Sequence, residues 1–306
     1  MSIKIHEILS NWDIPQNLPI HRIDESGNAH VWVIGETYIL KKGKHESQLK
    51  NFRLYEALAV QGLNPPPFYT KNGTQFAEDS DEAVYSLLPY IQGNTLTTDE
   101  MKCEKMLEYA YKIGQGIAKL HQALLSIENE FEVGEGYTLY SNANYWIPQV
   151  KKANIEFEMG LTDSFFNDYA EAFGGLHDKL PRQLIHQDIH PQNIIFDNNE
   201  VSGFIDFELS SRNMRLYDIS RILTGLGFNF FNAPEQWLAI VKQTLTGYNR
   251  VNPLTDEEKK GIFYLMCCAQ FIHVGMDLSV SNSSVQLTSF IAGLKDRLIE
   301  IGLGVS

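Results

Sequence analysis

A chain of 306 residues is long enough to bury a sizeable core and to form two lobes. Its 43% hydrophobic and 21% charged residues exclude a disordered chain. A net charge of −13 excludes a broad nucleic-acid surface, which needs a basic stripe, and charge-driven binding to anionic lipid. The same acidic balance is compatible with a cationic small-molecule partner. Cys103, Cys267 and Cys268 have neither metal-knuckle nor disulfide-framework spacing, so all three are expected to be reduced and buried. The segment Met1-Ser2-Ile3-Lys4-Ile5-His6-Glu7 lacks the apolar centre of a signal peptide. The longest apolar stretch, 262–274, contains Gln270 and His273 and is too short to span a bilayer. The expected setting is cytoplasmic, with neither membrane nor nucleic acid as partner.

In chain order, residues 29–34 and 37–41 are rich in β-branched and aromatic side chains, and Gly35-Glu36 between them signals a hairpin. A polar helix is expected over 46–61, with Gly62 placed to end it and Pro65-Pro66-Pro67 forbidding its continuation. Residues 84–88 form another apolar strand, stopped by Pro89, and 84–93 is the expected hinge. From about residue 100 the period becomes helical. Met106, Leu107, Ala110, Ile113, Gly114, Ile117, Ala118, His121, Leu124 and Leu125 fall on one helix face. Further helices are expected over 163–180, 216–226, 234–248, 255–276 and 284–301. Two short strands, 193–196 and 201–206, flank the turn Asp197-Asn198-Asn199-Glu200. The expected fold class is α+β: a small β-rich lobe over 1–91, then a larger helical lobe over 92–306.

The segment His186-Gln187-Asp188-Ile189-His190-Pro191-Gln192-Asn193 places several functional groups between apolar runs. An Asp followed five positions later by an Asn has the spacing of a kinase catalytic loop, with the Asp as base and the Asn on magnesium. The hairpin then returns Asp206 to the same edge, where it can bind a metal bridging phosphates. Both groups offer the hard oxygen that magnesium requires.

This stretch, with Ile205-Asp206-Phe207-Glu208 and Tyr217-Asp218-Ile219, resembles the aminoglycoside phosphotransferase and choline kinase family, which has a protein-kinase-like bilobal fold. Leu120-His121 and Tyr90-Ile91-Gln92-Gly93 support the resemblance, which covers roughly residues 20–225. The resemblance implies an enzyme that transfers the γ-phosphate of ATP, with Mg, to a hydroxyl of a small molecule: an aminoglycoside, an amino alcohol such as choline or homoserine, or a sugar. It implies Asp188 as the catalytic group, Asn193 and Asp206 as metal ligands, and His186, His190 and Asp218 as supports of the loop. It implies Lys41 as the phosphate-binding lysine, sharing a strand face with Ile39 while Lys42 faces the other way. Ser26, Gly27 and Asn28 would cover the phosphates. The Pro89 carbonyl and the Ile91 amide would meet adenine. Leu216-Tyr217-Asp218-Ile219-Ser220 looks close to homoserine-kinase-like members, while acceptor choice is expected to lie in 126–180 and the C-terminal helices.

Two departures stand out. Gln187 replaces the family's usual Gly, which implies an altered local backbone. Asn51 stands where the family has the helix Glu that pairs with the strand lysine, and Glu46 and Glu56 are out of register, so Lys41 has no assigned partner. The alternatives are a nucleotide-binding module with little turnover, a metal-dependent hydrolase built on His186-x-Asp188-x-His190, and a polar hairpin capped by its own side chains. His121 is expected to be a hydrogen-bonded core residue. Most of Tyr137, Tyr140, Tyr145 and Trp146 are expected to pack rather than line a cationic pocket, and Asp163, Asp168 and Glu171 to face solvent.

Overall fold

The computed structural model describes residues 2–23, 30–79, 83–130, 139–276 and 282–304. After helix α1 (Ser2–Leu9), strands β1 (Ile20–Ile23), β2 (His30–Ile34) and β3 (Tyr38–Gly43) lead into helix α2 (His45–Val60). Strands β4 (Ala77–Glu78) and β5 (Val84–Pro89) complete an antiparallel sheet ordered β1-β2-β3-β5-β4. Gly35 and Glu36 both take positive φ, as a tight hairpin demands, and Ile34 pairs with Tyr38 across a loop that also includes Thr37. Strand alternation buries Trp32, Ile34 and Leu40 against Trp12 and Leu87. Helix α2 ends as expected, with Gly62 at φ +70°. Its Leu54 and Leu58 are buried in the core of the helical lobe, so α2 spans both lobes.

The helical lobe contains α3 (Thr98–Lys102), α4 (Met106–Ile127), α5 (Leu139–Glu156) and α6 (Asp163–His177). Short strands β6 (Arg182–Ile185), β7 (Ile194–Asp197), β8 (Glu200–Phe204) and β9 (Ser211–Met214) follow. They form two antiparallel pairs, β6 with β9 and β7 with β8. The lobe closes with α7 (Leu216–Gly227), α8 (Pro234–Val251), α9 (Asp256–Met276), α10 (Asn282–Gly293) and α11 (Lys295–Glu300). The single helix expected over 284–301 is therefore two, broken at Gly293-Leu294, where glycine weakens helix continuation. The small strand-rich and larger helical lobes make this the expected protein-kinase-like architecture. Among the described residues, no helix is long and apolar enough to cross a membrane. The three cysteines are unpaired; Cys267 and Cys268 are buried, but Cys103 is only half-buried, contrary to expectation.

Helix α4 is the axis of the lobe. Ile113, Ile117, Leu120 and Leu124 are fully buried, and α8 packs along it. The approach is close because glycine meets backbone from both sides. A Cβ on Gly114 would run into the Thr244 carbonyl, and one on Gly247 into that of Tyr111. Alanine normally favours a helix over glycine by about 1 kcal/mol. Here Gly114→Ala is instead expected to destabilise the fold by about 1–3 kcal/mol in urea unfolding, because overpacking outweighs propensity.

Candidate functional site

Strand β6 delivers the chain to His186, and the loop that follows is fixed from beneath by one carboxylate. Asp218, in the first turn of α7, is fully buried. Its Oδ2 accepts from the His186 amide at 2.9 Å and its Oδ1 from the Gln187 amide at 2.8 Å. The His121 ring places Nε2 3.1 Å from Oδ2 and Nδ1 2.8 Å from the Tyr248 hydroxyl. An ionised carboxylate only accepts, so Nε2 carries the proton. The Tyr248 hydroxyl receives Asn252 Nδ2 at 3.4 Å and donates to Nδ1. Burial pushes the Tyr248 phenol up, which keeps it a donor. His121 is thus the hydrogen-bonded core residue expected, joining α4, α7 and α8 beneath the loop.

Gln187 sits at φ +70°, a left-handed conformation that glycine takes readily and other residues take at a cost of order 1–3 kcal/mol. Its amide is held by Asp218 and its Oε1 by the Ser211 hydroxyl on β9. The departure from Gly is therefore accommodated by anchoring the side chain. His186 is fully buried with both ring nitrogens committed. Nδ1 accepts from the Asp188 amide at 3.3 Å, so Nε2 carries the proton and donates to the Ile205 carbonyl at 2.9 Å. The Phe207 ring lies 4.7 Å away between centroids. His186 thereby links the loop to the segment carrying Asp206, and it has no nitrogen left for the metal that a hydrolase would need.

Asp188 is partly exposed, 3.6 Å from Arg221 Nη2 and 3.9 Å from His190 Nε2. His190 Nδ1 donates to Gln192 Oε1 at 2.9 Å. Asn193 closes a 3₁₀ turn, Pro191–Asn193, rather than opening the strand as expected. Its Nδ2 donates to the Asp188 carbonyl at 3.0 Å, which leaves Oδ1 as its atom for a cation. Its carbonyl accepts from the Ile205 amide at 3.1 Å. Asp206 follows at φ +64°, exposed, where the chain has already left β8. A carboxylate and an amide oxygen, brought together by that backbone bond, fit a hard divalent cation such as magnesium. Among the described residues, no group of three His, Cys, Asp or Glu side chains could hold a metal.

A cavity of about 620 Å³ lies between the sheet and this loop. Lys41, Pro89, Ile91, His190, Asn193 and Asp206 line it, whereas Asp188 lies off its wall. Tyr90 donates its amide to the Thr37 carbonyl at 2.9 Å, and antiparallel alternation then turns the Pro89 carbonyl away from β3. Lys42 points to the opposite face of β3, over the Tyr85 ring. Lys41 Nζ lies 3.0 Å from Glu208 Oε1. Glu208 is half-exposed, so this pair is worth about 0–1 kcal/mol and is easily rearranged. Glu56 instead faces outward to Arg53 and Tyr69. Ser26, Gly27 and Asn28 lie outside the described residues. A second cavity, about 510 Å³, lies beside α1 and β1 and contains none of the expected site residues.

Residues 20–254 match the phosphotransferase enzyme family. The chain belongs to that family. A homoserine kinase of Gluconobacter oxydans is 30% identical over 68% of this chain, and the match spans 63% of that protein's length. A homoserine kinase of Xanthobacter autotrophicus is 26% identical over 85% of this chain and 79% of its own. Among solved structures, an amicoumacin kinase in complex with AMP-PNP and Ca2+ superposes with a TM-score of 0.66 at 14% identity, covering 96% of this chain and 92% of that one. A microcompartment-associated aminopropanol kinase gives 0.58 at 14% identity, covering 99% of both chains. At these identities the structures establish a shared fold.

Two neighbours of the expected site were not assigned from sequence. Glu208 stands two residues beyond Asp206, and only the fold brings it across to Lys41. Arg221 stands three residues beyond Asp218 on α7, a spacing that shares one helix face and could have pointed to it. In the region expected to choose the acceptor, Tyr140 packs on Phe173 and Trp146 donates to Asn142. Tyr145 is exposed, and Tyr137 lies outside the described residues. Asp163, Asp168 and Glu171 face solvent, the first two within reach of Lys151 and Lys295.

Removing the Asp218 carboxylate strands two buried amides and His121. Asp218→Ala is expected to cost about 3–5 kcal/mol in denaturant unfolding. Burial pushes the His186 imidazole below its ordinary 6.5, against the opposing pull of Asp218. Below pH 6.5 the unfolded chain takes up a proton that the folded one resists. This contribution is complete above pH 6.5 and is lost as pH falls toward the lowered value. Stability measured from pH 7.5 to 5 should therefore decline less steeply in His186→Gln, relative to its own value at pH 7.5.

Proposed function

We propose that the chain transfers the γ-phosphate of ATP to the hydroxyl of a small-molecule acceptor, with Mg as the metal. The observation that carries this reading is the meeting of Lys41, the Pro89–Ile91 edge, Asn193 and Asp206 around one cavity, with Asp188 beside it. In this reading residues 1–91 form the nucleotide lobe and 92–306 the catalytic lobe, and the adenine lies along Pro89 and Ile91. Lys41 neutralises phosphate charge. Asn193 Oδ1 and the Asp206 carboxylate would hold magnesium, which supplies charge neutralisation on the phosphates when bound. Asp188 orients the acceptor hydroxyl and receives its proton, while Arg221 and His190 hold that carboxylate in place. Ser26, Gly27 and Asn28 are proposed to cover the phosphates. The setting is proposed to be cytoplasmic, consistent with three unpaired cysteines.

For the acceptor, a small hydroxy amino acid of the homoserine type is favoured over an aminoglycoside. Two curated relatives are named homoserine kinases. Arg221 also sets a cation beside Asp188, which suits an acceptor bearing a carboxylate and opposes a polycation. The reading of a nucleotide module without turnover rested on Asn51 replacing the helix Glu. The Lys41–Glu208 contact favours turnover instead, because it gives Lys41 a carboxylate from another element.

Coupled ADP-release assays over amino alcohols, hydroxy amino acids, aminoglycosides and sugars should give acceptor-dependent turnover, highest with a hydroxy amino acid. Asp188→Asn should lower kcat about 10²–10⁴-fold with the Kd for ATP nearly unchanged. Asp206→Ala should abolish the extra thermal stabilisation that magnesium gives with ATP. Full turnover in Asp188→Asn would remove that residue from the mechanism.

A further inference from the structure

Asn51 is on the face of α2 that meets the cavity, one turn after Gln48. It is only 4% exposed, and its Nδ2 has no hydrogen-bond partner. Two other buried amide side chains of this region are paired: Gln48 accepts from the Ser86 hydroxyl, and Asn64 bonds the Phe204 backbone through both of its amide atoms. A buried donor left unpaired is rare in a folded protein and points to a partner that arrives with a ligand.

The chemistry of that partner follows from the neighbours. Asn51 shares the cavity wall with Lys41, Phe207 and Glu208. The Lys41 ammonium only donates, so it cannot satisfy an amide N–H. Glu208 is engaged by Lys41 and lies half in solvent. A lysine and an unpaired amide donor on one wall call for an anionic oxygen between them.

We propose that Asn51 is a phosphate-binding residue, its Nδ2 donating to a phosphate oxygen of the bound nucleotide beside Lys41. Glu208 then supplies the counter-charge for Lys41, which has three hydrogens to share between carboxylate and phosphate. With that charge already present, a second carboxylate at position 51 would repel the phosphates, whereas an amide contributes a donor without adding charge. The proposal rests on the reading of this cavity as a nucleotide site.

The test compares wild type, Asn51→Leu and the near-isosteric Asn51→Asp. Melting temperatures without ligand and Kd values for ATP, ADP and adenosine are measured for each. The expected result is ATP and ADP affinity about 10–100-fold weaker in Asn51→Leu, and at least as weak in Asn51→Asp, with adenosine affinity unchanged. The unliganded melting temperature of Asn51→Leu should be equal or higher, because no bond is lost in the free protein. Unchanged ATP affinity in both variants overturns the proposal. So does a lower unliganded melting temperature with ATP and adenosine weakened alike, which marks a structural residue. Wild type that binds neither ATP nor adenosine overturns the nucleotide reading itself, an outcome separate from any effect of the variants.

Discussion

A buried carboxylate must be fully satisfied, and Asp218 meets that requirement by fixing the loop above it. Its two oxygens take the amides of His186 and Gln187 and face the His121 ring. His121 in turn is held by Tyr248 on α8. The close α4–α8 packing, permitted by Gly114 and Gly247, is what brings those two side chains into register. The path from packing to chemistry is short: α4 and α8 meet at backbone distance, Tyr248 on α8 holds His121, His121 meets Asp218 on α7, and the carboxylate then dictates where the loop turns. The strained φ of Gln187 persists because Asp218 and Ser211 hold both ends of that residue.

The second constraint is the join between the lobes. Gly93 at φ +118° passes so near the Phe196 carbonyl that any Cβ would collide with it. Asn94 exchanges two backbone hydrogen bonds with Phe196. Asn64, just beyond α2, binds the Phe204 backbone, so the strand leading to Asp206 is tied to the smaller lobe as well. Asn193 and Asp206 are thus set against Lys41 by backbone geometry, which does not depend on the half-exposed Lys41–Glu208 pair.

The parts legible in the sequence are those whose geometry is local. Asp188, Asn193 and Asp206 lie on one short loop-and-hairpin segment, so their spacing nearly determines their arrangement. The long α4 stripe and the Gly62 helix stop are local for the same reason. Residue pairs across lobes were not legible. Nothing between β3 and the hairpin indicates that Lys41 will meet Glu208 rather than a carboxylate on α2, and an Asn at position 51 gives no sign that it will be buried without a partner. The four-residue strand β9 carries too little pattern to read, since its pairing with β6 is set by the loop that Asp218 holds. The start of the hairpin was misplaced because Asn193 completes a turn before the strand begins, and Asp206 swings out after it ends.

Phosphoryl transfer to an acceptor hydroxyl at the Asp188 loop leaves a product that can be observed directly. Phosphorus NMR of the protein incubated with MgATP, with and without homoserine, follows that transfer. A new phosphomonoester resonance should appear only with the acceptor and grow as the γ-phosphate signal declines. Inorganic phosphate as the only product, formed equally with and without any hydroxyl acceptor, would contradict it.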